Sequence, residues 1–139
     1  MNKEATILQW SLRGGAIYFT CIALAHSIGV KVPGLFIYFN VPSHAYQDHI
    51  IAFLATGWAV FYFVASIKPQ DNPLAVTGVV LSSAVAIVGL MRINLLDDLV
   101  TLSPGVNVNY FWWQTIILAL YVSWLLVFQL KSRRADAIV

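Results

Sequence analysis

The feature that most limits how this chain can fold is a set of four long stretches without Asp, Glu, Lys or Arg. They cover residues 14–30, 50–67, 72–91 and 110–130 and contain 17, 18, 20 and 21 residues respectively. A helix that crosses a bilayer needs about 20 predominantly apolar residues, and helices are the only open-chain structures that satisfy their backbone hydrogen bonds in lipid. The sequence therefore predicts four membrane-spanning helices, at about residues 10–30, 48–67, 72–92 and 110–130.

The overall composition supports the same fold class. Of the 139 residues, 60% are hydrophobic and only 10% are charged, whereas a soluble domain averages about 45–50% and about 25%. A core of this size cannot hide so many apolar side chains, and a bilayer covers the surplus. We predict an all-α integral membrane protein, a four-transmembrane-helix bundle that forms a single domain over residues 1–139.

The distribution of Lys and Arg predicts the orientation. With four crossings, only Lys31 and Arg92 lie on one side, and the other six basic residues lie on the opposite side. Short cytoplasmic loops are enriched in Lys and Arg, so both termini and a short tail at residues 131–139 are expected in the cytoplasm of a bacterial-type plasma (inner) membrane. Residues 31–49 and 92–109 then form two structured outer loops, the second with a short amphipathic helix near residues 95–100.

The run SHAYQDH at residues 43–49 concentrates polar groups at the outer end of the second span. Ser43 is a predicted N-cap of that helix. His44 and Asp48 are one helical turn apart on the same face, a spacing that permits them to pair or to hold a metal. His49 lies about 140° around the helix from His44 at about 100° per residue. The alternative is purely structural, because Asp48 near a helix N-terminus is favoured by the helix dipole.

Other ionisable groups are expected at the same outer face. His26 lies within the first span near its outer boundary, where ionisable residues tend to face the bundle interior. The topology also brings the second outer loop to this side. The predicted binding residues are His26, His44, Asp48, His49, Arg92, Asp97 and Asp98.

A catalytic role is an open alternative for part of this set. The catalytic candidates are His44, Asp48 and His26, which supply the acid and base groups of general catalysis. No cofactor is required by the sequence. A metal held by His44 and Asp48, or a haem held by His26 and His49, is an option with less support.

The expected function follows from a short chain without a complete catalytic motif. We expect an accessory subunit of a membrane complex, or a lipid-binding or small-molecule-binding module with a polar site at the outer face. The alternative is a small membrane enzyme, an oxidoreductase or a lipid-modifying enzyme, that uses the His/Asp cluster. The expected partners are the lipid bilayer and either further copies of the chain or a larger membrane complex. Nucleic acid is not expected, since the net charge is only +2 and no basic patch is present.

Overall fold

A computed structural model describes residues 2–136, and this part of the chain is helical. The five helices are α1 (Lys3–Ser27), α2 (Ala45–Ser66), α3 (Pro73–Leu96), α4 (Leu99–Leu102) and α5 (Val108–Asp136). No strand occurs among the described residues, where the one extended pairing is an isolated bridge between Pro33 and Phe36. The all-α prediction is thus confirmed for this part of the chain.

Three of the helices are long and apolar enough to cross a membrane. They are Ala45–Ser66, Pro73–Leu96 and, within α5, Val108–Arg134, which indicates a helical membrane protein. The predicted count of four is not confirmed. The first predicted span exists as a helix of 25 residues, but Arg13 and His26 lie within it and make it less apolar.

The helix boundaries differ from the predicted ones at three places. His44, not Ser43, is the N-cap of α2, because the backbone N–H of His44 donates to Gln47 Oε1 at 2.8 Å. The short helix of the second outer loop is α4, a few residues later than expected, since residues 95–96 still belong to α3. Residues 131–136 of the predicted tail continue α5, and residues 137–139 lie outside the described part.

The end of α1 sets the direction in which the first outer loop leaves the bundle. Gly29 has φ of +70°, a left-handed conformation that glycine adopts without strain. Its N–H donates to His26 O, and the N–H of Val30 donates to Ala25 O. This pair of bonds is a Schellman motif, which fixes the last turn of α1 and therefore the position of His26.

The four long helices form a ring in the order α2, α1, α5, α3. Helix α1 runs antiparallel to α2, because Gln9 bonds Ser66 O at one end and His26 bonds Asp48 at the other. The pair α1–α2 has the most extensive contact, and α2–α3 has the least extensive contact of the four neighbouring pairs.

The main hydrophobic cluster occupies one end of this ring. Its members come from the start of α1, the end of α2, the start of α3 and the second half of α5. They include Leu8, Leu12, Tyr62, Val76, Val79 and Leu125, all at most 1% exposed. At the other end, where the first outer loop lies, α3 and α5 also bury side chains such as Asn94 and Phe111, and a cavity remains beside α1 and α2.

Candidate functional site

The centre of the candidate site is a histidine–aspartate pair that joins α1 to α2. His26 Nδ1 lies 3.0 Å from Asp48 Oδ1, and the two side chains are only 12% and 13% exposed. His26 is in the last turn of α1 and Asp48 is in the first turn of α2, so the antiparallel packing of the helices brings them together. With the proton on Nδ1, the imidazole donates to the carboxylate, and Nε2 is its remaining polar atom.

A chain of hydrogen bonds extends this pair to Lys31. The hydroxyl of Ser43 donates to the carboxylate of Asp48, with Oγ at 3.1 and 3.2 Å from its two oxygens. The ammonium of Lys31 donates to Ser43 Oγ at 2.6 Å and to Val41 O at 3.0 Å. Because a hydroxyl has one proton and two lone pairs, Ser43 can accept from Lys31 and donate to Asp48 at the same time. The positive charge of Lys31 thus partly balances the carboxylate.

The first outer loop folds over the pair. The ring of Phe36 packs against the ring of His26 with centroids 4.2 Å apart, and Phe36 is buried. Tyr18 donates from its hydroxyl to Leu35 O at 3.0 Å. Gln114, oriented with its amide nitrogen toward the loop, donates to Ile37 O at 3.0 Å. Side chains of α1 and α5 therefore hold the loop against the open end of the bundle.

A second, buried network holds the same loop to α3 and α5. Tyr38 donates to Asn94 Oδ1 at 2.8 Å, and the amide of Asn94 donates to Thr115 Oγ1 at 3.1 Å. Burial, with a further contribution from the charge of Asp97, raises the pKa of Tyr38 to about 12. Tyr38 therefore stays a neutral phenol that can donate to Asn94 across the physiological pH range.

A cavity of about 520 Å³ extends from the histidine–aspartate pair into the bundle. At the loop end its wall contains His26, Lys31, Ser43 and Asp48. Deeper in the bundle its walls are aromatic and aliphatic, with Phe19 stacked on Trp58 at 5.6 Å between centroids. Ligand-binding pockets of proteins occupy about 300–1,000 Å³ and are mostly apolar with a few placed polar groups, and this cavity has both properties.

A second cavity of about 320 Å³ lies between α1 and α5. Gly14 and Gly15 of α1 and Ile117 of α5 contribute to its wall. It also shares several wall residues with the first cavity. The two cavities are therefore neighbours within the same bundle.

The structure places the predicted binding residues in different surroundings. Of the seven, the structure joins only His26 and Asp48. His44 is exposed and stacks on Tyr46 at 5.8 Å, while Asp48 bonds His26 and Ser43 instead. His49 is exposed and makes no side-chain hydrogen bond within residues 2–136. The pairing of His44 with Asp48 that the spacing permitted is not formed.

The charged residues of the second outer loop do not join the histidine–aspartate pair in the structure. Arg92 and Asp97 are exposed, and neither contributes to the two cavities. Asp98 accepts from the hydroxyl of Thr101 at 2.6 Å and from its N–H at 3.1 Å. These bonds hold the pKa of Asp98 below its usual range, and they give it the role of N-cap of α4.

Sequence reasoning missed residues that the structure places in the site. From the sequence, Lys31 served only to predict the orientation in the membrane, and Ser43 was predicted only as the N-cap of the second span. The chain of hydrogen bonds from Lys31 through Ser43 to Asp48 depends on how residues 28–44 fold. The prolines at 33 and 42 predicted a loop there but not its conformation. Among the described residues no group of three or more His, Cys, Asp or Glu side chains is arranged to hold a metal. The haem option stays a prediction.

Together the fold and the site define a helical membrane protein with a largely apolar cavity that carries polar groups at one end. No family model matches the chain, and neither a curated protein nor a solved structure matches it.

Proposed function

We propose that this protein binds a lipid or another amphipathic small molecule at the outer end of its bundle. The observation that carries the proposal is the cavity of about 520 Å³ whose ionisable groups lie at one end. An amphipathic molecule has the same division between a polar head and an apolar body. Its head would lie beside His26 and Asp48, and its body between the aromatic side chains of α1 and α2.

The hydrogen bonds at the polar end support this placement of the head. Asp48 already accepts from His26 and Ser43, and Lys31 already donates to Val41 and Ser43. By contrast, Nε2 of His26 has no hydrogen bond among the described residues. With the proton on Nδ1, Nε2 is an acceptor, so a ligand hydroxyl that donates to this nitrogen would gain binding free energy.

The gap between α2 and α3 is a suitable entrance. These helices are in close contact near the core, where a Cβ atom on Gly78 would lie 3.0 Å from Phe61. Toward the loop end the cavity wall includes Ile51, Ala86 and Gly89, all of them exposed. In a membrane this gap would open to the acyl chains, so an apolar ligand would enter without crossing water.

A substitution that fills the entrance tests the proposal. A Cβ atom on Gly89 would meet nothing within 4 Å, so Gly89→Leu should fold while its side chain occupies the opening. We expect saturable binding of tritiated dodecanol to the purified protein to fall at least about tenfold, the equivalent of ~1.4 kcal/mol. Scintillation proximity at fixed detergent concentration, with protein-free micelles as the blank, measures this binding.

Gly57→Leu is the matched control for this experiment. Gly57 also lies within a long helix with nothing within 4 Å of an added Cβ atom, but it lines neither cavity. Its dodecanol binding should equal that of the wild type. Equal binding by the Gly89→Leu and Gly57→Leu variants, or no saturable binding by the wild type, would remove the proposal.

We also propose that α1 is a fourth membrane span and that both chain termini lie on the cytoplasmic side. The support is that α1 lies alongside α2 over the full length of that helix, with contacts at Ser66 and at Asp48. The 25 residues of α1 extend about 37 Å at about 1.5 Å per residue, enough to cross the apolar layer. The unequal distribution of Lys and Arg supports the orientation.

Single-cysteine labelling should reveal this topology. In a Cys21→Ser background, Asn40→Cys should react with a membrane-impermeant maleimide in intact cells. Lys3→Cys and Asp71→Cys should react only after permeabilisation, because all three positions are exposed but lie on different sides of the proposed bundle. Labelling of Lys3→Cys and Asn40→Cys from the same side would show that α1 does not cross.

The other predicted functions stay predictions. An enzymatic role receives less support from the geometry, because Ser43 donates to Asp48 and not to His26, so these residues do not form a nucleophile–base pair. An accessory role, assembly into an oligomer or a larger complex, and location in a bacterial plasma membrane are compatible with the binding function.

A further inference from the structure

We infer that the ligand is a single-chain amphiphile with an uncharged oxygen-bearing head, and that its tail passes from the first cavity into the second cavity, between α1 and α5. This inference rests on the proposed function and specifies the class of molecule. Monoacyl lipids with a hydroxyl head and long-chain alcohols share this chemistry.

The first argument is that the two cavities meet at common side chains. Five residues line both cavities: Tyr18, Phe19, Ile37, Tyr62 and Leu118. These five side chains therefore lie between the two cavities. A single acyl chain would have to displace fewer of them to pass from one cavity to the other than the two tails of a diacyl lipid.

The second argument is that the second cavity offers a ligand only apolar contacts. It contains four polar side chains, and each already has a hydrogen-bond partner. Tyr62 bonds the hydroxyl of Ser83, and the other three donate to backbone carbonyl oxygens. The bonds are Tyr18 to Leu35, Tyr121 to Ser11 and Gln114 to Ile37. The free polar atom of His26 is in the first cavity, so the head belongs there and the tail belongs in the second.

The third argument concerns the charge of the head. Lys31, the basic residue at the polar end, is already bonded to Ser43 and Val41, and the carboxylate of Asp48 lies next to it in the hydrogen-bonded chain. The charges of Lys31 and Asp48 already offset each other, and no other Lys or Arg lines the cavity. A phosphate or carboxylate head would therefore add a negative charge without a further cation to balance it. An uncharged hydroxyl avoids this cost and still donates to Nε2 of His26.

Photolabelling with alcohols of two lengths tests the path of the tail. The probes are octanol and hexadecanol with a diazirine at the end of the chain, applied to the purified full chain in detergent. The octanol probe should label residues of the first cavity, and the hexadecanol probe should label α5 near Ile117. Both labels should be saturable and displaced by unlabelled hexadecanol, as measured by peptide mass spectrometry.

A pair of glycine variants makes the test specific to the second cavity. Gly14 lines that cavity, and an added Cβ atom there would meet nothing within 4 Å. We expect Gly14→Leu to reduce hexadecanol labelling near Ile117 at least tenfold without changing octanol labelling. Gly57→Leu should change neither label.

The possible results separate this inference from the proposed function. If the end of hexadecanol labels only α2 and α3, the tail leaves through the entrance, and the inference is wrong although the binding site stands. Unchanged labelling near Ile117 in Gly14→Leu also overturns the inference. Absence of saturable labelling by both probes would remove the proposed function itself.

Discussion

Asp48→Ala is expected to destabilise the protein and to weaken ligand binding together. The substitution removes the shared partner of His26 and Ser43 and leaves a largely buried imidazole nitrogen without its hydrogen bond. Loss of one partner in a buried polar pair costs about 1–3 kcal/mol, which should appear as a lower free energy of unfolding in detergent. Because His26 would lose its fixed orientation, dodecanol binding should also fall at least about tenfold.

His44→Ala is the control that separates the observed pair from the pair that the spacing permitted. His44 is exposed, and its bond to Gln47 uses its backbone N–H, which alanine retains. Its effect on stability should stay within about 0.5 kcal/mol, as for most surface substitutions. Asp48→Asn should recover part of the loss, since an amide oxygen still accepts from His26. Equal losses of stability and of dodecanol binding in His44→Ala and Asp48→Ala would contradict the role given to the bond between His26 and Asp48.

Gly15→Ala should lower the free energy of unfolding by about 1–3 kcal/mol, the usual cost of overpacking a core. An added Cβ atom would lie 2.5 Å from Tyr62 Cδ1 and 2.6 Å from the hydroxyl oxygen of Tyr121. Tyr62 is 1% exposed and its hydroxyl is bonded to Ser83 at 2.9 Å, so a shift of its ring would cost this buried hydrogen bond. Thermal unfolding of the purified protein measures the loss.

The neighbouring glycine provides the comparison. Gly14→Ala should be neutral or stabilising by up to about 1 kcal/mol, because alanine favours a helix over glycine and nothing lies within 4 Å of the new Cβ atom. Both variants change helix propensity equally, so the difference between them isolates the collision with the tyrosines. A Gly15→Ala protein as stable as Gly14→Ala would show that the α1–α2–α5 contact is looser than described.

The histidine–aspartate pair shows which contacts the spacing of residues along one helix cannot predict. The interval of four residues placed His44 and Asp48 on one helical face, but His44 is the N-cap, with φ of −83° and ψ of 151°. A residue in that extended conformation does not continue the helical face. Asp48 instead meets His26, which is 22 residues away in sequence.

The predicted topology likewise did not specify which of the outer groups lie next to each other. The second outer loop lies near the first, since Ser103 donates to Asn40 O at 2.9 Å. Even so, Arg92 and Asp97 are exposed, and Asp98 caps α4. If two residues lie on the same side of the membrane, only their approximate position along the membrane normal is known. This position does not fix whether the side chain points into the bundle or away from it.

The sequence by itself determined the helical class, the long apolar segments and the concentration of polar groups near residues 43–49. These properties follow from hydropathy, capping residues and the position of prolines, which act over a few neighbouring residues. Only the tertiary structure decided which of those groups meet, that residues 28–44 cover them, and that a cavity lies next to them within the bundle. The physical reason is that a helix in lipid is apolar on all sides, so its sequence does not specify which face turns inward. That rotation is set by contacts between distant segments, such as His26 with Asp48 and Gly15 with Tyr62.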